Sequence, residues 1–167
     1  MIKKTRAFIC GISGHNLKKS EVSFLKKYKP WGIILFSRNL KSINQVQKLT
    51  GSIKKIFKNS NYPILIDEEG GRVSRLRKFI DNSIFSAKYF GDLYSKDRKK
   101  FDIYFNVYVK QISYLLRLIG ININTVPVLD LRRNKSHKII GDRSYSNDKK
   151  TLSKIGDISI EKFHENR

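Results

Sequence analysis

The chain has 167 residues, and 40% of them are hydrophobic, which suits one domain with a core and excludes a disordered chain. It contains no run of about 18 apolar residues, so the sequence predicts no membrane span. There is one cysteine, Cys10, and it lies in a short apolar run. A single cysteine excludes an internal disulfide framework and is typical of a reducing compartment.

The net charge of +21 raises nucleic acid or another polyanion as a possible partner. The 24 lysines and 11 arginines, however, are spread along the whole chain, with lysine pairs from Lys3 and Lys4 to Lys149 and Lys150. A nucleic-acid footprint is concentrated on one face of a protein. The even spread therefore favours solvated surface, and a nucleic-acid partner is the less favoured interpretation.

Short apolar runs alternate with amphipathic segments along the chain. In order, the patterns predict a strand at 7–12, a helix at 20–28 with Ser20 as N-cap, a strand at 31–36, a helix at 42–57, a strand at 63–66, short helix and turn near 84–94, a helix at 98–118, a strand at 121–129, a polar loop at 130–138 and a helix at 148–164. No internal repeat or linker divides the chain, so residues 1–167 are predicted to form part of a single domain.

Four strand-helix units predict an α/β fold with a parallel sheet. Two architectures fit this order: a small doubly wound sheet, or the first half of an eight-stranded (β/α)₈ barrel. In both, ligands bind at the carboxyl ends of the strands, so the residues that directly follow each strand are the candidates for function. These positions are polar: 13–15, 37–39, 67–72 and 130–133.

The densest of these positions is the run Asp67-Glu68-Glu69, which is followed by two glycines and by Arg72, Arg75 and Arg77. Adjacent carboxylates repel one another unless cations offset them, and we expect the arginines to do so. Residue types alone leave two interpretations open: a ligand site, or a salt-bridged rim that stabilises a loop. A second polar segment, 139–146, contains Gly-Asp-Arg, in which Arg143 could pair with Asp142 or Asp130.

Four segments in the same order and spacing resemble the N-terminal half of bacterial β-N-acetylglucosaminidases of glycoside hydrolase family three. They are GIILFSRN (32–39), ILIDEEGGRVSRLR (64–77), VPVLDL (126–131) and IIGDRSYSND (139–148). The resemblance covers nearly the whole chain. It implies a (β/α)₈ barrel, of which this chain is expected to form about four βα units, an incomplete barrel with no second domain.

The resemblance also implies three substrate-binding residues: Asp67, Arg75 and Arg143. A carboxylate at Asp67 can accept hydrogen bonds from sugar hydroxyls, and guanidinium groups suit hydroxyl and acyl oxygens. Glu68 stands where the family usually has glutamine. No metal or organic cofactor is implied.

The family's Lys-His stretch, its mobile loop with a catalytic histidine, and its aspartate nucleophile have no counterparts here, so no catalytic residue is expected in this chain. Family members hydrolyse terminal β-linked N-acetylglucosamine by a retaining mechanism, in which the nucleophile forms a covalent glycosyl-enzyme intermediate. We therefore expect a truncated or split half of a glycosidase that acts on cell-wall fragments in the cytoplasm. Alone it is expected to be unstable, to aggregate or to pair with a carboxy-terminal half. The alternatives are an inactive sugar-binding remnant and a basic nucleic-acid-binding protein.

Overall fold

The structure is a computed structural model, and it describes residues 5–132 and 139–166. Most of the predicted polar loop at 130–138 therefore lies outside the described residues. The elements, in chain order, are β1 (Arg6–Gly11), α1 (Lys19–Tyr28), β2 (Pro30–Leu35), α2 (Ile43–Phe57), β3 (Ile64–Ile66), α3 (Ala87–Lys96), α4 (Arg98–Leu118), β4 (Ile123–Asn124) and α5 (Lys149–Glu165), with short 3₁₀ turns at Ser37–Asn39 and Gly141–Arg143. No helix in the described part of the chain is long and apolar enough to cross a membrane.

The strands form one parallel sheet in the order β1-β2-β3-β4. The prediction of a parallel α/β fold is therefore confirmed. Its central strands are mostly buried, with Ile33, Leu35, Ile64 and Ile66 all inaccessible to solvent. Trp31 on β2 is an exception, since 44% of it is exposed.

The fold divides into two compact units. The sheet unit contains the described residues up to Asp67 together with Leu116–Asn124, and so holds the four strands, α1 and α2. The helical unit contains Glu68–Leu115 and the described residues from Thr125 onward, and so holds α3, most of α4, and α5. The predicted single barrel domain stays a prediction.

In the sheet unit, α2 is fixed to the segment that leads into β4. Ser42, the first residue of the predicted helix, caps it by accepting a hydrogen bond from the Gln45 N–H at 3.2 Å. The Thr50 hydroxyl donates to the Ile119 carbonyl at 2.9 Å. Gly120 has φ +79°, and a Cβ there would lie 2.5 Å from the Thr50 hydroxyl oxygen, so the chain can turn closely against α2 only with glycine.

The helical unit is built around an aromatic core. Phe90 on α3 lies 4.9 Å from Phe105 and 5.1 Å from Tyr108 on α4, measured between ring centroids. Phe101 and Phe105 stack at 5.1 Å. Edge-to-face and offset pairs of this kind add stability beyond the area that they bury. The sequence pattern predicts α4 with the bounds that the structure has.

Three predicted boundaries are wrong. β4 has two residues instead of nine, because β3 offers only Leu65 and Ile66 as partners. α1 begins one residue early and is capped around Lys18 instead of Ser20, because Glu21 accepts the Lys18 N–H at 2.8 Å. α3 lies later than predicted, because the Ser86 hydroxyl caps it by accepting the Tyr89 N–H at 3.1 Å.

Candidate functional site

The polar residues that follow β1 and β2 are tied to each other. The buried Asn39 amide donates to the Ile12 carbonyl at 3.2 Å and to the Gly14 carbonyl at 2.9 Å. Its oxygen accepts the Phe36 N–H at 2.9 Å. All of these bonds lie within the sheet unit and satisfy backbone groups at the strand ends, so Asn39 has a structural role here.

Asp67 directly follows β3 and is half-buried. The strand β3 is one of the two central strands of the sheet, and Asp67 is the first residue after it. Its place at the carboxyl end of a parallel strand is the position where α/β folds bind ligands. The predicted sugar-binding carboxylate therefore lies at the carboxyl end of the parallel strands.

The next residue, Glu68, is 1% exposed. One oxygen of its carboxylate accepts the backbone N–H groups of Arg75 and Leu76 at 2.6 and 2.8 Å. The other oxygen accepts the side-chain amide of Asn82 at 2.7 Å. A buried carboxylate is costly unless donors of this kind compensate it, so Glu68 organises the loop that follows it.

That loop, residues 68–77, turns sharply at two glycines. Gly70 has φ +78° and Gly71 has φ +57°, a region that glycine favours. A Cβ on Gly70 would lie 2.4 Å from the Phe85 carbonyl oxygen and 2.6 Å from the Tyr108 hydroxyl. Only glycine therefore fits this turn, which is closed by the Glu69 N–H donating to the Val73 carbonyl at 3.1 Å.

Ion pairs join the 68–77 loop to the 139–146 loop within the helical unit. Arg143 donates from Nε and Nη2 to the two carboxylate oxygens of Glu69, each at 2.8 Å. Glu69 is 10% exposed and Arg143 25% exposed, so this bidentate pair is largely shielded from solvent. Arg72 donates from Nε to Asp142 at 2.6 Å, and from Nη2 to the Ile139 and Ile140 carbonyls.

Of the three adjacent carboxylates, Glu69 is offset by an arginine, but not by one of the arginines that the sequence indicated. Arg143 pairs with Glu69, whereas the sequence suggested Asp142 or Asp130 as its partner. Asp142 instead pairs with Arg72. Arg77 donates to the Gly71 carbonyl at 2.9 Å. Arg72 and Arg77 therefore stabilise loop geometry, and the guanidinium beside Glu69 comes from Arg143, 74 residues along the chain.

Two buried tyrosines lie beside these carboxylates. Burial, and the nearby charges of Glu68 and Glu69, raise the pKa of Tyr108 well above its usual value. Burial raises the pKa of Tyr145 to about 12. Both phenols are thus neutral near pH 7. Reasoning from the sequence missed Tyr108, Tyr145 and Asn82, since isolated residues of these types carry no motif.

The three predicted sugar-binding residues are placed as follows. Arg143 lies on the 139–146 loop in its pair with Glu69, and Arg75 lies half-buried on the 68–77 loop with its backbone held by Glu68. The two loops that carry these arginines are joined within the helical unit. Asp67 belongs to the sheet unit. Carboxylate oxygens and guanidinium forks of this kind can bind hydroxyl and acyl oxygens of a sugar.

The sheet unit has a cleft of a different kind, with a volume of about 570 Å³, between α1 and α2. We call it the lysine cleft. Four aliphatic residues, four lysines and two polar residues line it. They are Leu17, Val22, Leu49 and Ile56; Lys26, Lys48, Lys55 and Lys58; and Asn16 and Ser52. Among the residues that the structure describes, none with a carboxylate lines this cleft, which distinguishes it from the 68–77 and 139–146 loops.

The strands and helices define a parallel α/β fold with polar loops after its strands. Residues 3–167 match the glycosyl hydrolase family 3 N-terminal domain, and the chain belongs to this family. It is 28% identical over 156 residues to a β-hexosaminidase of Xanthomonas campestris pv. campestris (strain B100), a match that covers 93% of this chain and 46% of that protein.

Solved structures give the same fold. NagZ from Neisseria gonorrhoeae, in complex with zinc ion, superposes with a TM-score of 0.85 at 24% identity, over 97% of this chain and 48% of that one. The same protein in complex with N-trifluoroacetyl-D-glucosamine gives a TM-score of 0.81 at 25% identity, over 97% and 47%. The chain therefore spans about half the length of the relatives it matches. Neither alternative function is supported by these similarities.

Proposed function

We propose that this chain supplies the sugar-binding loops of a β-N-acetylhexosaminidase, a retaining glycoside hydrolase that removes terminal β-linked N-acetylglucosamine. The observation that carries the proposal is the pair of joined loops, 68–77 and 139–146, in a chain of this family. The β-hexosaminidase name of the Xanthomonas relative supports the reaction. The glucosamine derivative bound to NagZ supports the sugar.

In this proposal the substrate-binding residues are Asp67 in the sheet unit, and Arg75 and Arg143 in the helical unit. Asp67 accepts hydrogen bonds from the hydroxyl groups of the sugar, as an ionised carboxylate can. Arg75 and Arg143 donate to hydroxyl or acyl oxygens. The bidentate bond to Glu69 fixes the Arg143 guanidinium plane before the ligand arrives, which lowers the entropy lost on binding.

Hydrolysis requires a nucleophile and a proton donor. The family resemblance assigns neither to a residue of this chain, so the proposal gives this chain substrate binding and gives catalysis to a complementary carboxy-terminal half. Cell-wall fragments that end in N-acetylglucosamine are the proposed substrates. The single cysteine favours the cytoplasm as the proposed location.

The test is to titrate N-acetylglucosamine into the chain and follow its amide signals by NMR. Asp67→Asn is expected to weaken binding by at least about tenfold, since a charge-assisted hydrogen bond is lost. The matched control is Asp102→Asn, an exposed carboxylate on α4 that should leave the affinity unchanged. Equal effects of the two substitutions would contradict the assignment of Asp67.

Catalysis is tested separately with a chromogenic β-N-acetylglucosaminide. The chain alone should release no chromophore. Hydrolysis is expected only after mixing with a second chain that carries the part of the Xanthomonas relative not matched here. Sugar binding without hydrolysis in that mixture would favour an inactive sugar-binding remnant. Failure to bind the sugar, together with DNA affinity that falls steeply with salt, would favour the nucleic-acid alternative.

A further inference from the structure

The Glu68 carboxylate is the most deeply buried charged group that the proposed function does not use. It accepts three hydrogen bonds, two of them from consecutive backbone N–H groups, those of Arg75 and Leu76. The third comes from Asn82, whose own backbone carbonyl accepts the Gly71 N–H at 3.1 Å. Asn82 thus joins Glu68, at the start of the 68–77 loop, to the glycine turn, while Glu68 itself holds the end of the loop at residues 75 and 76.

The consequence concerns Arg75. Glu68 bonds to its backbone N–H at 2.6 Å, a short charge-assisted bond that fixes where the Arg75 Cα lies. A guanidinium can act as a preformed binding group only if its main chain is held in place. We propose that Glu68 and Asn82 form a positioning pair for Arg75, so that sugar affinity depends on the hydrogen bond between residues 68 and 82. This proposal rests on the proposed function.

The pair should tolerate the replacement of Glu68 by glutamine. The Asn82 side-chain oxygen is buried and accepts no hydrogen bond from the described residues. If Glu68 becomes glutamine, the new side-chain N–H₂ meets Asn82, and a half-turn of the Asn82 amide presents that oxygen as its acceptor. Glu68→Gln should therefore retain sugar affinity within about threefold, since each amide keeps its partner.

The decisive variant is Asn82→Asp, which sets two buried carboxylates against each other at a separation of about 2.7 Å in the unrelaxed geometry. Like charges this close cannot both ionise without displacing the loop. N-acetylglucosamine affinity should fall by at least about tenfold near pH 7 and recover toward pH 5, where the pair shares a proton. Tyr108 and Glu69 also lie close; Tyr108 stays neutral over this range, and Glu69 remains paired with Arg143.

The matched control is the double variant Glu68→Gln with Asn82→Asp, in which the glutamine amide donates to the new carboxylate. It should bind the sugar within about threefold of the unmodified chain, with no recovery at low pH because no carboxylate pair remains. An Asn82→Asp chain that binds normally at neutral pH overturns the proposal. A double variant as weak as the single one also overturns it.

A second readout does not depend on the sugar. The Arg75 and Leu76 amide hydrogens should exchange slowly, exchange at least about tenfold faster in Asn82→Asp, and slow again in the double variant. If the unmodified chain binds no N-acetylglucosamine, the proposed function fails, and the positioning pair is judged by this exchange alone. Unchanged exchange across all the variants would overturn it.

Discussion

Two charged regions of this protein differ in how their charges are held. In the 68–77 and 139–146 loops, Glu69 and Arg143 meet in a shielded bidentate pair, and Glu68 is buried among three donors. In the lysine cleft, Lys26, Lys48, Lys55 and Lys58 make no ion pair within the part of the chain that the structure describes.

The difference shows that the amount of charge is a poor guide to function in this chain. The net charge of +21 comes mainly from lysines that need no particular geometry, because exposed charges in water interact weakly. The carboxylates and arginines of the loops are few, but burial strengthens their interactions and fixes their positions. Three pairs of substitutions and one combined replacement of the cleft lysines test this contrast between tightly held and loosely held positions.

The largest difference in stability is expected between two variants that each remove one charge, one in the 68–77 loop and one in the lysine cleft. Glu68→Leu leaves three buried donors without an acceptor and should lower the free energy of unfolding by about 3 kcal/mol. Lys48→Leu, on the exposed side of α2, should leave it unchanged. Urea denaturation measures both. Equal stability of the two variants would mean that the buried hydrogen bonds contribute nothing.

The second contrast compares two helical glycines. In Gly91→Ala the new Cβ would lie 1.7 Å from the Tyr145 carbonyl oxygen, so α3 and the 139–146 loop must separate, at about 2–3 kcal/mol. In Gly51→Ala, on α2, no atom lies within 4 Å of the Cβ. That change should stabilise the chain by about 0.5–1 kcal/mol, the helix-propensity difference. Thermal unfolding that moves in the same direction for both would contradict the close packing at Gly91.

The third contrast concerns shape at constant charge. Arg143→Lys keeps the positive charge but cannot form the bidentate bond to Glu69, and should lower unfolding free energy by about 1 kcal/mol. Arg98→Lys changes an exposed pair with Asp102 and should have no measurable effect on chemical denaturation. A similar loss in both variants would show that the geometry at Glu69 is unimportant.

The smallest effect is expected from the lysine cleft itself. Replacing Lys26, Lys48, Lys55 and Lys58 by glutamine should leave N-acetylglucosamine binding unchanged. DNA affinity, measured by fluorescence anisotropy over a series of salt concentrations, should fall by less than about tenfold, because the remaining basic residues are spread over the chain. A loss of about a thousandfold would instead identify the cleft as a nucleic-acid site.

The sequence predicts what depends on local pattern. α4 has an amphipathic period and ends before Gly120, whose φ of +79° suits a helix terminus, so both bounds are predictable. The start of α2 follows from Ser42. The position of Asp67 after an apolar strand is equally local, which is why the sequence places it correctly.

The sequence does not predict interactions between distant segments. The partner of Arg143 is Glu69, and nothing in either local sequence favours that pair over Asp142, which is adjacent to Arg143. The length of β4 depends on how many residues β3 offers it, a property of the sheet and not of residues 121–129. The role of Asn82 depends on folding, which brings its side-chain amide to the Glu68 carboxylate, 14 residues away in the sequence.

Trp31 has a practical consequence. It is the single tryptophan of the chain, it lies on β2, and it is 44% exposed. Intrinsic emission excited in the red edge of the absorption band therefore originates in the sheet unit alone, whereas the helical unit contributes only tyrosine and phenylalanine. Tryptophan emission thus follows the sheet unit, and six of the eight tyrosines lie in the helical unit. A gap between the tryptophan and tyrosine transitions would report independent unfolding.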